Sequence, residues 1–151
     1  MEDKKKILQE IKKDFFFYKN GIIADSLRKL YDTDVIVFGL NLPQIIDLSK
    51  KYPKDIQIGI ELWNDKKVRE SRLLALYLLP ATEIPYSMAS EMILDVRSIE
   101  EAELLAFRLL KYLSYAEDLL KEFNAKENLE AFPLHCVRML GKNLDLQSSN
   151  D

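Results

Sequence analysis

Residues 70–79 read Glu70-Ser71-Arg72-Leu73-Leu74-Ala75-Leu76-Tyr77-Leu78-Leu79, and 31 residues later the chain reads Glu101-Ala102-Glu103-Leu104-Leu105-Ala106-Phe107-Arg108-Leu109-Leu110. Six of the ten pairs are identical and Leu76/Phe107 is conservative. An echo at a fixed period is the mark of stacked helical repeats, which bind through an extended surface more often than through one deep pocket.

Helical spacing runs outward from this stretch in both directions. Ile7, Leu8, Ile11, Phe15 and Tyr18 form one apolar stripe, and Asn20-Gly21 reads as a C-terminal stop, giving an N-terminal helix over 1–21. A shorter helix is expected from Ile22 to Tyr31, broken by Asp32-Thr33-Asp34. Val35-Ile36-Val37-Phe38 has strand composition but no second run to pair with, so it reads as an apolar connector. Asn41 caps a helix carrying Pro43 in its first turn and ending near Lys51, before Tyr52-Pro53. Further helices are expected over Lys54–Trp63, Lys66–Leu79, Pro85–Leu94, Ser98–Leu113 and Ser114–Phe123. Ser98 with Glu101 is a capping-box signature. A last helical region, Ala125–Leu140, is expected to break or restart at Pro133 and end at Gly141, with 144–151 a frayed tail. Helices this short need stacking to be stable in water. The reading is an all-α, right-handed stack of HEAT-like helical repeats, an α–α superhelix, forming a single domain over 1–151.

Composition agrees. A chain of 151 residues with 48% hydrophobic and 31% charged residues reads as soluble and globular, and four glycines with five prolines argue against a turn-rich β architecture. No apolar run reaches the roughly 18 residues of a membrane span, so no membrane partner is expected. The opening Met1-Glu2-Asp3-Lys4-Lys5-Lys6 lacks a secretory apolar region. The lone cysteine, Cys136, has no disulfide partner in the chain and suits a reducing cytoplasm. The net charge is −3 but uneven: residues 1–60 carry 11 Lys/Arg against 9 Asp/Glu, residues 61–94 carry 4 against 5, and residues 95–151 carry 7 against 11. A basic face is compatible with an acidic whole.

Phe38-Gly39-Leu40-Asn41-Leu42-Pro43 followed by Ile45-Ile46-Asp47-Leu48-Ser49-Lys50, then Ile60-Glu61-Leu62-Trp63, then Arg69-Glu70-Ser71-Arg72-Leu73-Leu74-Ala75, resembles in order and spacing the HEAT-like DNA alkylation repair family over roughly residues 22–140. In that family a Leu-Trp pair followed by Glu-x-Arg-x-x-Ala joins two helices of a repeat. Read physically, Trp63 places a large apolar body at a helix end, and Glu70 complements the dipole in a first helical turn. Arg72 either pairs with a carboxylate such as Glu61 or faces a phosphate. The resemblance implies alkylated-base excision by a Trp and an Asp four residues apart, with a later Arg on the backbone. Here those positions read Ile99 and Glu103, with Arg138 near the place of the Arg. Ile99 offers no π face to a base or a cationic sugar, so a non-catalytic member is expected, or a weak glycosylase with Glu103 as its carboxylate.

Lys50, Lys51, Lys54, Lys66, Lys67, Arg69 and Arg72 crowd into 23 residues. Along one edge of a repeat array they would neutralise phosphates and give salt-sensitive binding, DNA being the expected partner. The alternative is a solvated face paired with local carboxylates. Glu100, Glu101 and Glu103 suit a helix start and solvent better than an acid/base pair. His135 and Cys136 have no second His or Cys with which to build a metal site or a nucleophile dyad, so no metal is expected. Phe15-Phe16-Phe17-Tyr18 cannot all face one side of a helix, and either thickens the core or meets a protein partner. No Gly-rich phosphate loop, HExxH or CxxC occurs, and no cofactor is expected. Nucleic-acid binding is thus the first functional expectation, and a protein-interaction scaffold the alternative.

Overall fold

The computed structural model describes residues 2–149. It is all-α: among the described residues there are nine α-helices and three short 3-10 turns, and the sole β pairing is an isolated parallel bridge between Ile36 and Val68. No described helix is long and apolar enough to cross a membrane. The chain divides into two compact units, Met1–Leu79 and Pro80–Asp151.

Unit 1 holds α1 (Glu2–Phe17), α2 (Gly21–Leu27), α3 (Leu42–Lys51), α4 (Ile56–Asn64) and α5 (Arg69–Leu78). Local chemistry sets most of these boundaries. Asn20 ends nothing: its side chain accepts from the backbone N–H of Ile22 (3.0 Å) and Ile23 (3.1 Å), so it caps the start of α2 rather than the stop of α1. Asn41 and Gln44 form a full capping box on α3, with Pro43 where its missing N–H costs nothing. Asp55 caps α4 through Gln57 and Ile58. The helix expected from Lys66 begins only at Arg69, which leaves Lys66 and Lys67 in the turn. Ile11 and Phe15 seat α1 in the core, and α4 and α5 make the most extensive pairing of the unit, with α3 also on α5. Gly59 permits that closeness, since a Cβ there would lie 2.3 Å from Leu79 Cδ2.

Unit 2 holds α6 (Tyr86–Leu94), α7 (Ile99–Arg108), α8 (Ala116–Asn124) and α9 (Ala131–Ser149), with α7 packed most extensively on α9. Ser98 Oγ accepts from the Glu101 N–H at 3.1 Å, the expected cap. The last helix corrects the sequence reading. Pro133 neither breaks nor restarts it, because the proline lies in the first turn, where no intrahelical donor is lost. Nor does Gly141 end it: α9 runs on through 144–149, so those residues are helix and not a frayed tail, while 150 and 151 lie outside the described residues.

The echo has a structural meaning. Glu70 and Glu101 are both buried carboxylates in the first turn of α5 and α7, and Leu74/Leu105, Ala75/Ala106, Leu78/Leu109 and Leu79/Leu110 are buried in both copies. Arg72 and Leu76 are buried while their counterparts Glu103 and Phe107 meet solvent, so two of the four differing pairs fall where α7 is exposed and α5 is not. From α4 onward the helix starts recur at nearly this spacing, with α4 to α6, α5 to α7 and α6 to α8 each 30 residues apart and α7 to α9 32, whereas α3 to α5 is 27.

Cys136 is fully buried on α9, and burial pushes its thiol up to about 12. The native chain is therefore expected to leave a thiol reagent such as DTNB unreacted at pH 8 and to react at once when unfolded in urea. Because the folded thiol holds its proton more tightly than the unfolded one, its contribution to stability is complete below the ordinary thiol range and is lost as pH rises from there towards 12.

Candidate functional site

The residues that carry the sequence signature meet in space. The Glu70 carboxylate, completely buried, accepts the backbone N–H groups of Phe38 (3.0 Å), Gly39 (3.0 Å) and Leu40 (3.4 Å). Arg69 Nη1 donates to Glu70 at 2.7 Å and to the Leu40 carbonyl at 2.8 Å. Gly39 turns the segment at φ +93°, where a side chain would be strained, and brings its backbone against Asn20 and Ala24. Three residues past Arg69, Arg72 lays its guanidinium 3.5 Å from the Trp63 ring centroid and donates to the Trp63 carbonyl at 2.9 Å. A carboxylate satisfied by three amides and a guanidinium is a buried polar network with its charges matched, which specifies the local structure.

This removes two cations from the expected basic face. Arg69 and Arg72 are 3% and 1% exposed, so they are interior groups and not surface phosphate ligands. Arg72 meets Trp63, while the Glu61 carboxylate lies 3.5 Å from Lys4 Nζ. Glu101 is also interior, accepting the Arg97 N–H at 3.1 Å, in place of the solvent expected around it.

Lys50, Lys51, Lys54, Lys66 and Lys67 are all exposed, but in two groups: the first three flank the start of α4, and the last two follow its end. Lys51 Nζ is 3.0 Å from Asp14, which also accepts from the Tyr52 hydroxyl. Burial first, then that hydrogen bond, hold the Tyr52 hydroxyl well above its usual range. The two lysine groups are joined by α1, whose own lysines the crowded 50–72 stretch does not include. Lys5, Gln9 and Lys12 line one wall of a groove of about 460 Å³ between α1 and α4, above Leu8 and Leu62, opposite Glu61, Asn64 and Asp65. Lys12 Nζ stands 3.6 Å from Asp65. Helical spacing continues that stripe from Lys5, Gln9 and Lys12 to Phe16. The period of 3.6 is visible in the sequence; which flank of α1 lies beside α4 is not.

The whole of unit 1 is cationic, with 15 Lys/Arg against 12 Asp/Glu, a balance of +3, and unit 2 is anionic, with 7 against 13, a balance of −6. At the α1–α2 turn Phe15 is buried, while Phe16, Phe17 and Ile22 are 61%, 78% and 85% exposed, so the aromatic run thickens the core with one ring only.

In unit 2, Ile99 opens α7 and is half exposed, and Glu103, one turn on, is exposed. Glu103 Oε1 lies 3.1 Å from His135 Nε2 on α9, a pairing the sequence does not suggest. Arg138 is exposed one turn beyond His135. Among the described residues no group of three or more His, Cys, Asp or Glu is placed to hold a metal ion.

Comparison with family models, with curated proteins and with solved structures finds no match to this chain.

Proposed function

We propose that the chain is a non-catalytic, nucleic-acid-binding stack of HEAT-like helical repeats, related in design to DNA alkylation repair proteins. The observation that carries the reading is the set of exposed lysines on unit 1: Lys5, Lys12 and Lys13 of α1, which meets Asp65 through Lys12 and Lys51 through Asp14, together with Lys50, Lys51, Lys54, Lys66 and Lys67. Lysines on exposed ends bind phosphate by releasing counterions, without reading sequence. The 30-residue spacing of helix starts from α4 onward supports the repeat, and the buried Arg69–Glu70 pair and the Arg72–Trp63 contact give the family-like signature a structural role. Ile99 supplies no aromatic face and Glu103 already engages His135, which supports binding without base excision.

A labelled duplex is expected to bind at low salt and to be released steeply as salt rises. Lys50→Gln with Lys54→Gln, and separately Lys66→Gln with Lys67→Gln, should each lower the log–log salt slope by about 1 to 2, roughly one for each phosphate left without its lysine. Incubation with alkylated duplex should release no 3-methyladenine or 7-methylguanine. Absence of binding at low salt would sink the reading, and base release abolished by Glu103→Gln would make the chain an enzyme.

A second reading, a protein-interaction scaffold, is favoured by the balance of −6 on unit 2, which repels phosphate and suits a basic protein surface. A chain that leaves DNA free at every salt concentration yet co-purifies with a protein belongs to that reading.

A further inference from the structure

Phe16, Phe17 and Tyr18 stand out of unit 1 at the end of α1, with no part in its core. Phe17 is 78% exposed and meets Tyr18 edge-to-face at 5.0 Å, while one face of Phe16 is covered by Lys19 Nζ at 3.9 Å. Their surroundings are cationic. Lys13 lies one helical turn below Phe16 and Phe17. Asp14, one turn before Phe17 and Tyr18, is held by Lys51 and Tyr52, which ties the end of α3 to this end of α1; Lys50, next in sequence to Lys51, is exposed. The other carboxylates near these lysines are Glu10, one turn before Asp14, and Asp47, one turn before Lys50 and Lys51. With the Lys51–Asp14 pair set aside, three lysines, Lys13, Lys19 and Lys50, face two carboxylates, Glu10 and Asp47.

Rings that protrude do not form a groove for an amphipathic peptide. They present flat π faces between cations, the arrangement that holds unpaired bases while lysines track the backbone. We propose that the α1–α2 turn is a stacking platform for single-stranded nucleic acid, with Phe17 as its central ring, Tyr18 and Phe16 beside it, and Lys13, Lys19 and Lys50 on the phosphates. This rests on the nucleic-acid reading above and specifies its ligand: a strand whose bases are free, since the bases of an intact duplex are stacked on one another and offer the ring no face.

The test compares a labelled oligothymidylate with a blunt hairpin duplex, each titrated with the full chain and with Phe17→Ala and Phe17→Trp. Phe17 is exposed, so both variants should keep the native helical circular dichroism. The oligothymidylate should bind the native chain more tightly than the hairpin. Phe17→Ala should weaken the single strand by roughly tenfold, the scale of one lost base stack, and leave the hairpin unchanged; Phe17→Trp should restore the single-strand affinity. Equal affinities that Phe17→Ala does not alter overturn the platform and leave the phosphate-binding reading standing. Failure of both ligands to bind at low salt removes both. Self-association abolished in Phe17→Ala, with nucleic-acid affinities unchanged, also overturns it and assigns the face to a second copy of the chain.

Discussion

Glu70→Ala is expected to cost unit 1 about 3–5 kcal/mol, the range for removing one partner of a buried charge pair. The carboxylate is fully buried and serves four donors: the N–H groups of Phe38, Gly39 and Leu40, and the Arg69 guanidinium. Truncation leaves three amides, two of them buried, without this acceptor and takes a carboxylate away from the buried Arg69 guanidinium. Glu70→Gln keeps the shape but turns an NH₂ towards donors, so it too should destabilise, by about 1–3 kcal/mol. Adding Arg69→Met to Glu70→Gln removes the stranded charge, and the double variant should lose less than the sum of its singles. Glu61→Ala, which removes an exposed ion pair with Lys4 (3.5 Å), should move stability by about half a kcal/mol or less. Trp63 is the one tryptophan and lies in unit 1, so its fluorescence in a urea titration reports this unit. A Glu70→Ala midpoint within error of the native chain would show that the network does not hold the fold.

Gly39→Ala is the second large effect, about 2–4 kcal/mol on the same readout. Two costs add. The backbone at φ +93° disfavours a side chain by about 1–2 kcal/mol. A Cβ there would also lie 2.2 Å from the Asn20 carbonyl oxygen and 2.8 Å from the Ala24 nitrogen, both backbone atoms that cannot swing aside. Overpacking of this kind costs about 1–3 kcal/mol. The opposing gain, a less flexible unfolded chain, is only about 0.4–1 kcal/mol. Gly21→Ala is the control, because nothing lies within 4 Å of the added carbon and Gly21 opens a helix; it should be neutral or slightly stabilising.

The all-α class, the caps at Asn41 and Ser98, and a structural role for Trp63 and Glu70 were legible in the sequence because each rests on local chemistry or on helical period. Arg69 and Arg72 were not. An arginine is soluble by composition, and only the fold brings a carbonyl, a carboxylate and an indole close enough to take it inside. Gly141 and Pro133 misled for a related reason: they are breakers by average tendency, and here one sits inside a packed helix and the other in a first turn, where tertiary packing and position outweigh propensity. The basic face was half legible. Lysine spacing in 50–67 was plain, but the part of α1 that joins the two groups depends on how the helix is rotated about its axis. Phe17 and Tyr18 stood in a conspicuous run whose exposed members the sequence left undetermined.

The segment from Ile36 to Leu40 belongs to no helix, yet Ile36 pairs with both sides of Val68, Phe38 accepts from Asn20, and Glu70 grips three successive amides. By contrast α2, a regular helix, buries only Ala24. The usual assignment of stillness to helices and motion to coil is therefore reversed here. Thermal opening of unit 1 should begin by peeling α2 away, while the coil beyond it moves with α5 as one body until the whole unit gives way.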